Sequence, residues 1–404
     1  MDKKIKILFM IDRKYPTDHV FLEEVYAKIL SKQKFEITWL MKSKKRIEKR
    51  KKAWWHGNKV IVIPSRGNGL TEYLYQIIDL LKLKTIVSKE KFDIIQVRND
   101  PIMGLIANYF SKKNSAKFVV QLSHLKAEET INFAKKGFYG NKIKNLLVGT
   151  IEKFLRQQML KRADLIFPIS QEMKIYFKDL NIKKPMIPLQ LCVIKKVKVE
   201  MKKIELIKKR YNLKNSTVFI YLGTLSRSRE LEKMIQAFSI VHNNKQKTKM
   251  IIVGEGKEPN DLEFLKKIVK KLNLEDSIMF TNRVQREEVP NYIEASDIGL
   301  SPVPFNNVFK RSSITKLGEY LNQNLPVIAT NFPEQTKIMK ESEAGFCVNY
   351  TIKELSSAMN KMLTLSKKER KIMGDKGKIY IQKYRNANVF ANKVIDAYEK
   401  LLKK

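Results

Sequence analysis

The chain has 404 residues, room for two or three domains, and its 43% hydrophobic and 9% aromatic content suffices for packed cores, so wholesale disorder is excluded. Its two cysteines, Cys192 and Cys347, lie far apart, and its four histidines are scattered, which leaves no disulfide framework and no histidine-based metal cluster. A formal net charge of +39 predicts attraction to polyanions: nucleic acid, an anionic membrane leaflet or a pyrophosphate-bearing molecule. Because the lysines are spread along every helical segment, part of that excess also reads as a lysine-rich surface.

An apolar run over 5–11 comes first. It is far shorter than the ~20 residues of a membrane span and is followed at once by Asp12-Arg13-Lys14, so it reads as a buried strand rather than a span or leader peptide. Similar runs follow at 36–41, 59–63, 93–97, 118–122 and 165–169, rich in Ile, Val and Phe as expected of parallel strands buried on both faces. Helical patterns over 21–30, 71–83 and 143–160 alternate with them.

Between the first strands stands a basic cluster, 42–52, in which eight of eleven residues are cationic, followed by Trp54-Trp55. Cations beside paired tryptophans suit an anionic membrane interface, each contributing on the order of 1 kcal/mol there. The other reading is a solvated loop with its tryptophans folded inward. At strand ends stand Arg98-Asn99-Asp100, His124 and Ser170, where open α/β sheets place ligands. Asp100, just before Pro101, and Ser170 read first as helix N-caps.

A proline-punctuated, lysine-rich segment over 181–201 reads as a linker. Beyond it the alternation resumes, with strands expected at 218–222, 250–253, 277–280, 298–301 and 327–330. Strand–helix alternation throughout predicts an α/β chain of two parallel-sheet domains: 1–190, 191–385, and a terminal helix over 386–404.

The second half carries the chemistry. Gly223 ends a strand and is followed by Arg227 and Arg229, on a turn where guanidinium groups can clamp phosphate oxygens. Gly254 and Gly256 form a Gly-x-Gly turn after the next strand, which allows close backbone approach to a ligand and is also a common plain turn. Ser313-Ile314-Thr315 opens a helix whose first amides favour phosphate, and Glu319 lies between one and two turns in, where it can accept from a ribose diol or simply pair with Lys316.

In this order, from about 218 to 348, the segments resemble the donor-binding half of retaining glycosyltransferases with the GT-B fold, in the large family 4 group (glycosyl transferases group 1). The quoted stretches are Val218-Phe219-Ile220-Tyr221-Leu222-Gly223, Ile251-Ile252-Val253-Gly254-Glu255-Gly256, Thr281-Asn282-Arg283-Val284 and Ser313-Ile314-Thr315-Lys316-Leu317-Gly318-Glu319-Tyr320. The resemblance implies two Rossmann-like parallel-sheet domains facing a central cleft, the first binding acceptor and the second a nucleotide diphosphate sugar, with the last helix crossing back to the first domain. It implies phosphate binding by Gly223, Arg229 (with Arg227 in reserve), Gly254 and Gly256, base contacts at Arg283 and Val284, and ribose binding by Glu319. Arg229 and His124 are the implied catalytic residues. No metal and no cofactor is implied; the donor would be a UDP- or GDP-sugar, and the acceptor a glycan or lipid-linked molecule at the cytoplasmic membrane face.

Three positions depart from the family pattern. Arg311 stands where the first glutamate of a Glu-x7-Glu pair is usual, Thr224 replaces a common arginine, and Tyr15-Pro16-Thr17-Asp18 stands where a Gly-Gly pair is frequent. These are arguments for a second reading, a non-catalytic GT-B protein that binds anionic glycan or membrane. Nucleic-acid binding ranks last, since no helix-turn-helix, zinc-finger or aromatic RNA-binding pattern is present.

Overall fold

A computed structural model describes residues 4–67, 70–195, 197–244 and 247–403. The chain divides into two units, Met1–Cys192 with Arg311–Ser313 and Ala387–Lys404, and Val193–Lys310 with Ile314–Asn386.

The first unit is built on a seven-stranded sheet of β1 (Ile5–Tyr15), β2 (Phe35–Ser43), β3 (Lys51–Trp55), β4 (Asn58–Ile63), β5 (Ile94–Arg98), β6 (Lys117–Leu122) and β7 (Leu165–Pro168). Their order is β3-β4-β2-β1-β5-β6-β7, parallel except for β3, which runs antiparallel to β4. The order reverses between β1 and β5, the switch point at which such sheets hold ligands. Alternate residues of β1 enter opposite cores: Ile7, Phe9 and Ile11 one, Leu8 and Met10 the other.

β3 starts at the end of the basic run that the sequence presents as a loop or membrane cluster, taking in Lys51 and Lys52. Its lysines sit on a sheet edge, where charge discourages pairing with another chain. The paired tryptophans divide by strand alternation: Trp55 is buried against Trp39, while Trp54 points to solvent.

Both expected N-caps are present. Asp100 accepts from the Met103 amide at 2.9 Å at the start of helix Pro101–Asn114, and Ser170 from the Met173 amide at 3.0 Å at the start of Gln171–Asp179.

The second unit carries a six-stranded, wholly parallel sheet: β8 (Thr217–Leu222), β9 (Thr248–Val253), β10 (Ile278–Asn282), β11 (Ile298–Ser301), β12 (Val327–Thr330) and β13 (Gly345–Val348), in the order β10-β9-β8-β11-β12-β13. The short β13 was not readable from the sequence pattern. An aspartate immediately before a strand recurs in both units and secures the neighbouring strand: Asp93 accepts from Lys6 N, Asp164 from Phe118 N and Asp297 from Val218 N, at 2.7–2.8 Å.

The helix Ala387–Leu402 belongs to the first unit, where Phe390, Val394 and Tyr398 join the core that holds Phe9, Phe21 and Tyr26.

Candidate donor site

The site assembles at the carboxyl ends of β8 and β9 in the second unit. Gly223 and Gly254 both take backbone angles that side chains rarely adopt, with φ of +137° and +149°. The two turns lie against each other so closely that a Cβ on Gly254 would fall 1.9 Å from the Gly223 carbonyl oxygen. Gly256 has a different reason to be glycine. A Cβ there would meet Glu258 and Asp261, the residues that cap helix Pro259–Lys271, so its small size serves the cap.

Helix Thr315–Asn322 packs beneath these turns. Tyr320 locks it to the sheet: its hydroxyl accepts from Leu222 N–H at 2.7 Å and faces the carbonyls of Ile220 and Leu300 at 3.2 and 3.3 Å. That anchoring turns Lys316, one turn earlier, inward.

Lys316 is the residue that sequence reasoning passed over as an ion-pair partner for Glu319. It is only 7% exposed, and its amine has no hydrogen-bond partner among the described residues. The Nζ sits 3.7 Å from the centre of the Tyr221 ring and 3.3 Å from where a Cβ of Gly223 would stand. Burial, reinforced by the Arg229 charge and opposed by Glu319, holds its pKa well below the usual lysine value. Among the described residues no anion makes a hydrogen bond with this amine.

Arg229 lies over the Phe309 ring, its guanidinium 4.3 Å from the ring centre, and its field reaches both Lys316 and Tyr221. Arg227 instead stacks on Phe264 at 3.3 Å. Asn306 holds the turn beneath Arg229 by accepting from Val308 N and Phe309 N at 2.9 Å each. Glu319 is half-buried, and its carboxylate makes no hydrogen bond among the described residues. Burial raises its pKa, against the pull of Arg286 and Lys316. Arg283 pairs with Glu255 at 3.1 Å in solvent, and Val284 packs against the core.

The helix start differs from expectation. The Ile314 amide, foreseen as a phosphate donor, already gives its hydrogen to Glu334 at 2.9 Å, and Glu334 is itself paired with Arg385. Thr315, the first helical residue, is exposed. Ser313 is grouped with the first unit, where its hydroxyl accepts from Leu191 N at 3.2 Å. Arg311 goes with it: its carbonyl accepts from Ser170 Oγ at 2.8 Å, and its guanidinium lies 4.0 Å from the Tyr176 ring centre. An arginine in place of the family's glutamate thus finds an aromatic partner.

In the first unit, His124 follows β6 and meets Glu129 Oε2 at 3.2 Å through Nε2. Arg98, at the end of β5, is fully buried beside His19, 2.9 Å away. Burial, with help from Arg13 and opposed by Tyr26, lowers its pKa to about 9. Among the described residues no group of three or more His, Cys, Asp or Glu side chains could hold a metal ion.

Residues 203–379 match the family model described as glycosyl transferases group 1. Among curated proteins the chain is similar to the alpha-monoglucosyldiacylglycerol synthase of Streptococcus pneumoniae, 22% identical over 65% of this chain and 57% of that protein. It is also similar to an uncharacterized glycosyltransferase of Methanocaldococcus jannaschii, 26% identical over 62% of this chain and 58% of that protein. The matches thus span less than three fifths of each relative's length.

Two solved structures share the fold along nearly the whole chain. The sucrose-phosphate synthase from Thermosynechococcus elongatus superposes with a TM-score of 0.77 at 14% identity, covering 98% of this chain and 99% of that one. Anabaena HepE, crystallised with UDP and glucose, gives 0.73 at 15% identity over 98% and 100%. With one Rossmann-like parallel sheet in each unit, the chain has the GT-B fold, and most of its second unit matches the model of glycosyl transferases group 1.

Proposed function

We propose that the protein transfers a sugar from a nucleoside diphosphate sugar to a glycan or lipid-linked acceptor, with retention and without a metal ion. One observation carries this reading: Lys316, buried, without an anionic partner and beside Arg229, faces the glycine turn after β8. A diphosphate would supply the missing negative charge, and the neighbouring Glu319 carboxylate would accept from the ribose hydroxyls. UDP and UDP-glucose in the HepE structures support UDP as the first nucleotide to test. The name of the S. pneumoniae relative denotes a glucosylated diacylglycerol, which supports a lipid acceptor; the cytoplasmic face of the membrane is the proposed place of the reaction.

In the proposed reaction the bond between the sugar C1 and the β-phosphate oxygen breaks and one from the acceptor oxygen to C1 forms on the same face. The acceptor's proton passes to the departing phosphate. Lys316 and Arg229 stabilise the charge that develops there, a preorganised contribution worth several kcal/mol in such sites. They take the place of the arginine that Thr224 replaces, and they supply the positive charge that a bound cation otherwise would. Ser313, Gly254, Gly256, Arg227, Arg283 and His124 are assigned supporting contacts to donor or acceptor.

Calorimetry tests the donor site directly. UDP or GDP should bind, and Arg229→Ala and Glu319→Ala should each weaken that binding about 10- to 100-fold, as loss of a charge-assisted hydrogen bond does. Absence of binding by any nucleoside diphosphate would reject the proposal. Turnover unaffected by EDTA, with an α-linked product from an α-linked donor, tests metal independence and retention. The stacked Arg311 favours the second reading, a non-catalytic partner of a transferase, and a purified sample that binds UDP yet never consumes a sugar nucleotide would select it.

A further inference from the structure

On one face of the first unit, helices Leu70–Leu81, Pro101–Asn114 and Lys142–Arg162 lie side by side, the middle one touching both others. Each buries one stripe in the core formed by Leu80, Met103, Phe110 and Met159 with the sheet. The opposite stripe is unusual. On Lys142–Arg162, Ile143, Leu147, Ile151 and Phe154 recur at helical spacing and are 78%, 61%, 49% and 57% exposed. On Leu70–Leu81, Leu74, Tyr75, Ile78 and Leu81 are exposed in the same manner, as is Tyr109 on the middle helix. Soluble surfaces rarely present large apolar side chains in such a continuous group.

The charges around this stripe decide what could cover it. Lys82, Lys112, Lys142, Lys144, Lys161 and Arg162 rim it, all exposed. The acids of these helices are turned to other partners: Glu72 faces Lys42, Asp79 is held by Arg66, and Glu152 pairs with Lys126 at 2.9 Å. The middle helix has no acid at all. The basic run before β3 adjoins the same surface, since Arg50 donates to the Lys82 carbonyl at 3.3 Å.

We propose that this outer helical layer docks on a bilayer surface rich in anionic lipid, its apolar stripe entering the boundary between headgroups and acyl chains. Apolar residues flanked by lysines and tyrosines, with the helices' acids engaged by cations, match an interfacial helix, whose cations reach phosphate headgroups while their stems lie along the acyl region. A protein partner fits less well, because lysine is depleted at protein–protein interfaces. The proposal deepens the membrane-side placement suggested above and is independent of the donor chemistry. It also gives the 42–52 cluster a lesser part, as an electrostatic flank of a surface whose anchor is apolar.

Flotation with phosphatidylglycerol vesicles, against phosphatidylcholine alone, tests it with two double variants, Leu147→Glu with Ile151→Glu and Leu74→Glu with Ile78→Glu. Wild type should partition onto the anionic vesicles, and each double variant should lose at least tenfold in partitioning at both low and high salt. Reversal of Lys49, Arg50 and Lys51 to Glu should reduce binding mainly at low salt. The proposal is overturned if wild type ignores anionic vesicles, or if the glutamate variants bind as wild type does while only charge reversal matters. It is equally overturned if wild type is a dimer in sedimentation velocity that the glutamate variants dissociate, since a second copy then covers the stripe. Circular dichroism and UDP affinity, read on the same samples, check that the exposed substitutions leave the fold intact. Loss of UDP binding in wild type would sink the donor reading and leave the vesicle result standing.

Discussion

Lys316→Met is expected to raise the thermal stability of the free protein while weakening UDP or GDP binding by about a hundredfold. The two effects share a cause. A buried ammonium with no anionic partner is destabilising, and an unbranched apolar side chain of similar length removes that penalty without leaving a large void. The same exchange deletes the charge that a diphosphate would neutralise, worth about 2–3 kcal/mol as a charged hydrogen bond. Thermal unfolding with and without nucleotide reads both quantities. A variant that loses stability and keeps its affinity would show Lys316 to be structural.

The pH dependence follows with a definite sign. Lys316 has a folded-state pKa below its unfolded value of 10.5, so between the two the unfolded chain carries the extra proton. Its contribution to stability is therefore most unfavourable below that window and improves as pH rises through it. Ligand binding runs in the opposite direction. A diphosphate beside Lys316 raises the pKa again, so binding within the window takes up a proton and affinity falls as pH increases. Calorimetry in two buffers of different ionisation enthalpy should detect that uptake in wild type and find it absent in Lys316→Met.

Phe390→Ala should cost the first unit about 3–5 kcal/mol, the usual range for emptying a buried phenylalanine site. Phe390 is fully buried, its ring centre 5.8 Å from that of Phe21, and Tyr398, two turns later, stands 5.8 Å from Phe35 and 6.0 Å from Phe167. The Tyr398 hydroxyl donates to Gln96, whose amide donates in turn to Tyr26 at 3.1 Å, so the terminal helix closes a polar chain inside an aromatic core. In calorimetric scans the unfolding step of the first unit should drop by on the order of 10 °C. The step that UDP stabilises, belonging to the second unit, should stay in place. Movement of the UDP-sensitive step instead would mean that the helix supports the other unit.

Much of this architecture was legible before any coordinates. Parallel strands buried on both faces produce unbroken Ile, Val and Phe runs, and those at 5–11, 118–122, 218–222 and 298–301 appear where the pattern puts them. Asp100 and Ser170 were readable as caps because their chemistry is local. β3 was hidden because an edge strand that opens on Lys51 and Lys52 is patterned by solvent and by avoidance of pairing more than by a core. The apolar stripe of Lys142–Arg162 was hidden for a related reason: a helix apolar on both sides looks merely hydrophobic until the sheet takes one side and leaves the other bare.

The sequence alone determined the α/β class, every strand but β3 and β13, and a second half whose glycines, arginines and glutamate resemble a diphosphate-binding pattern. Periodicity and turn chemistry are local, so they survive without knowledge of neighbours. Tertiary structure decided which charges lack partners. It gave the Ile314 amide to Glu334, drew Arg227 onto Phe264 and Arg311 onto Tyr176, and left Lys316 buried beside Arg229 with no hydrogen-bonded anion among the described residues. Whether a cation is solvated, paired or waiting for a ligand depends on groups brought together from distant positions, and no spacing along the chain records that.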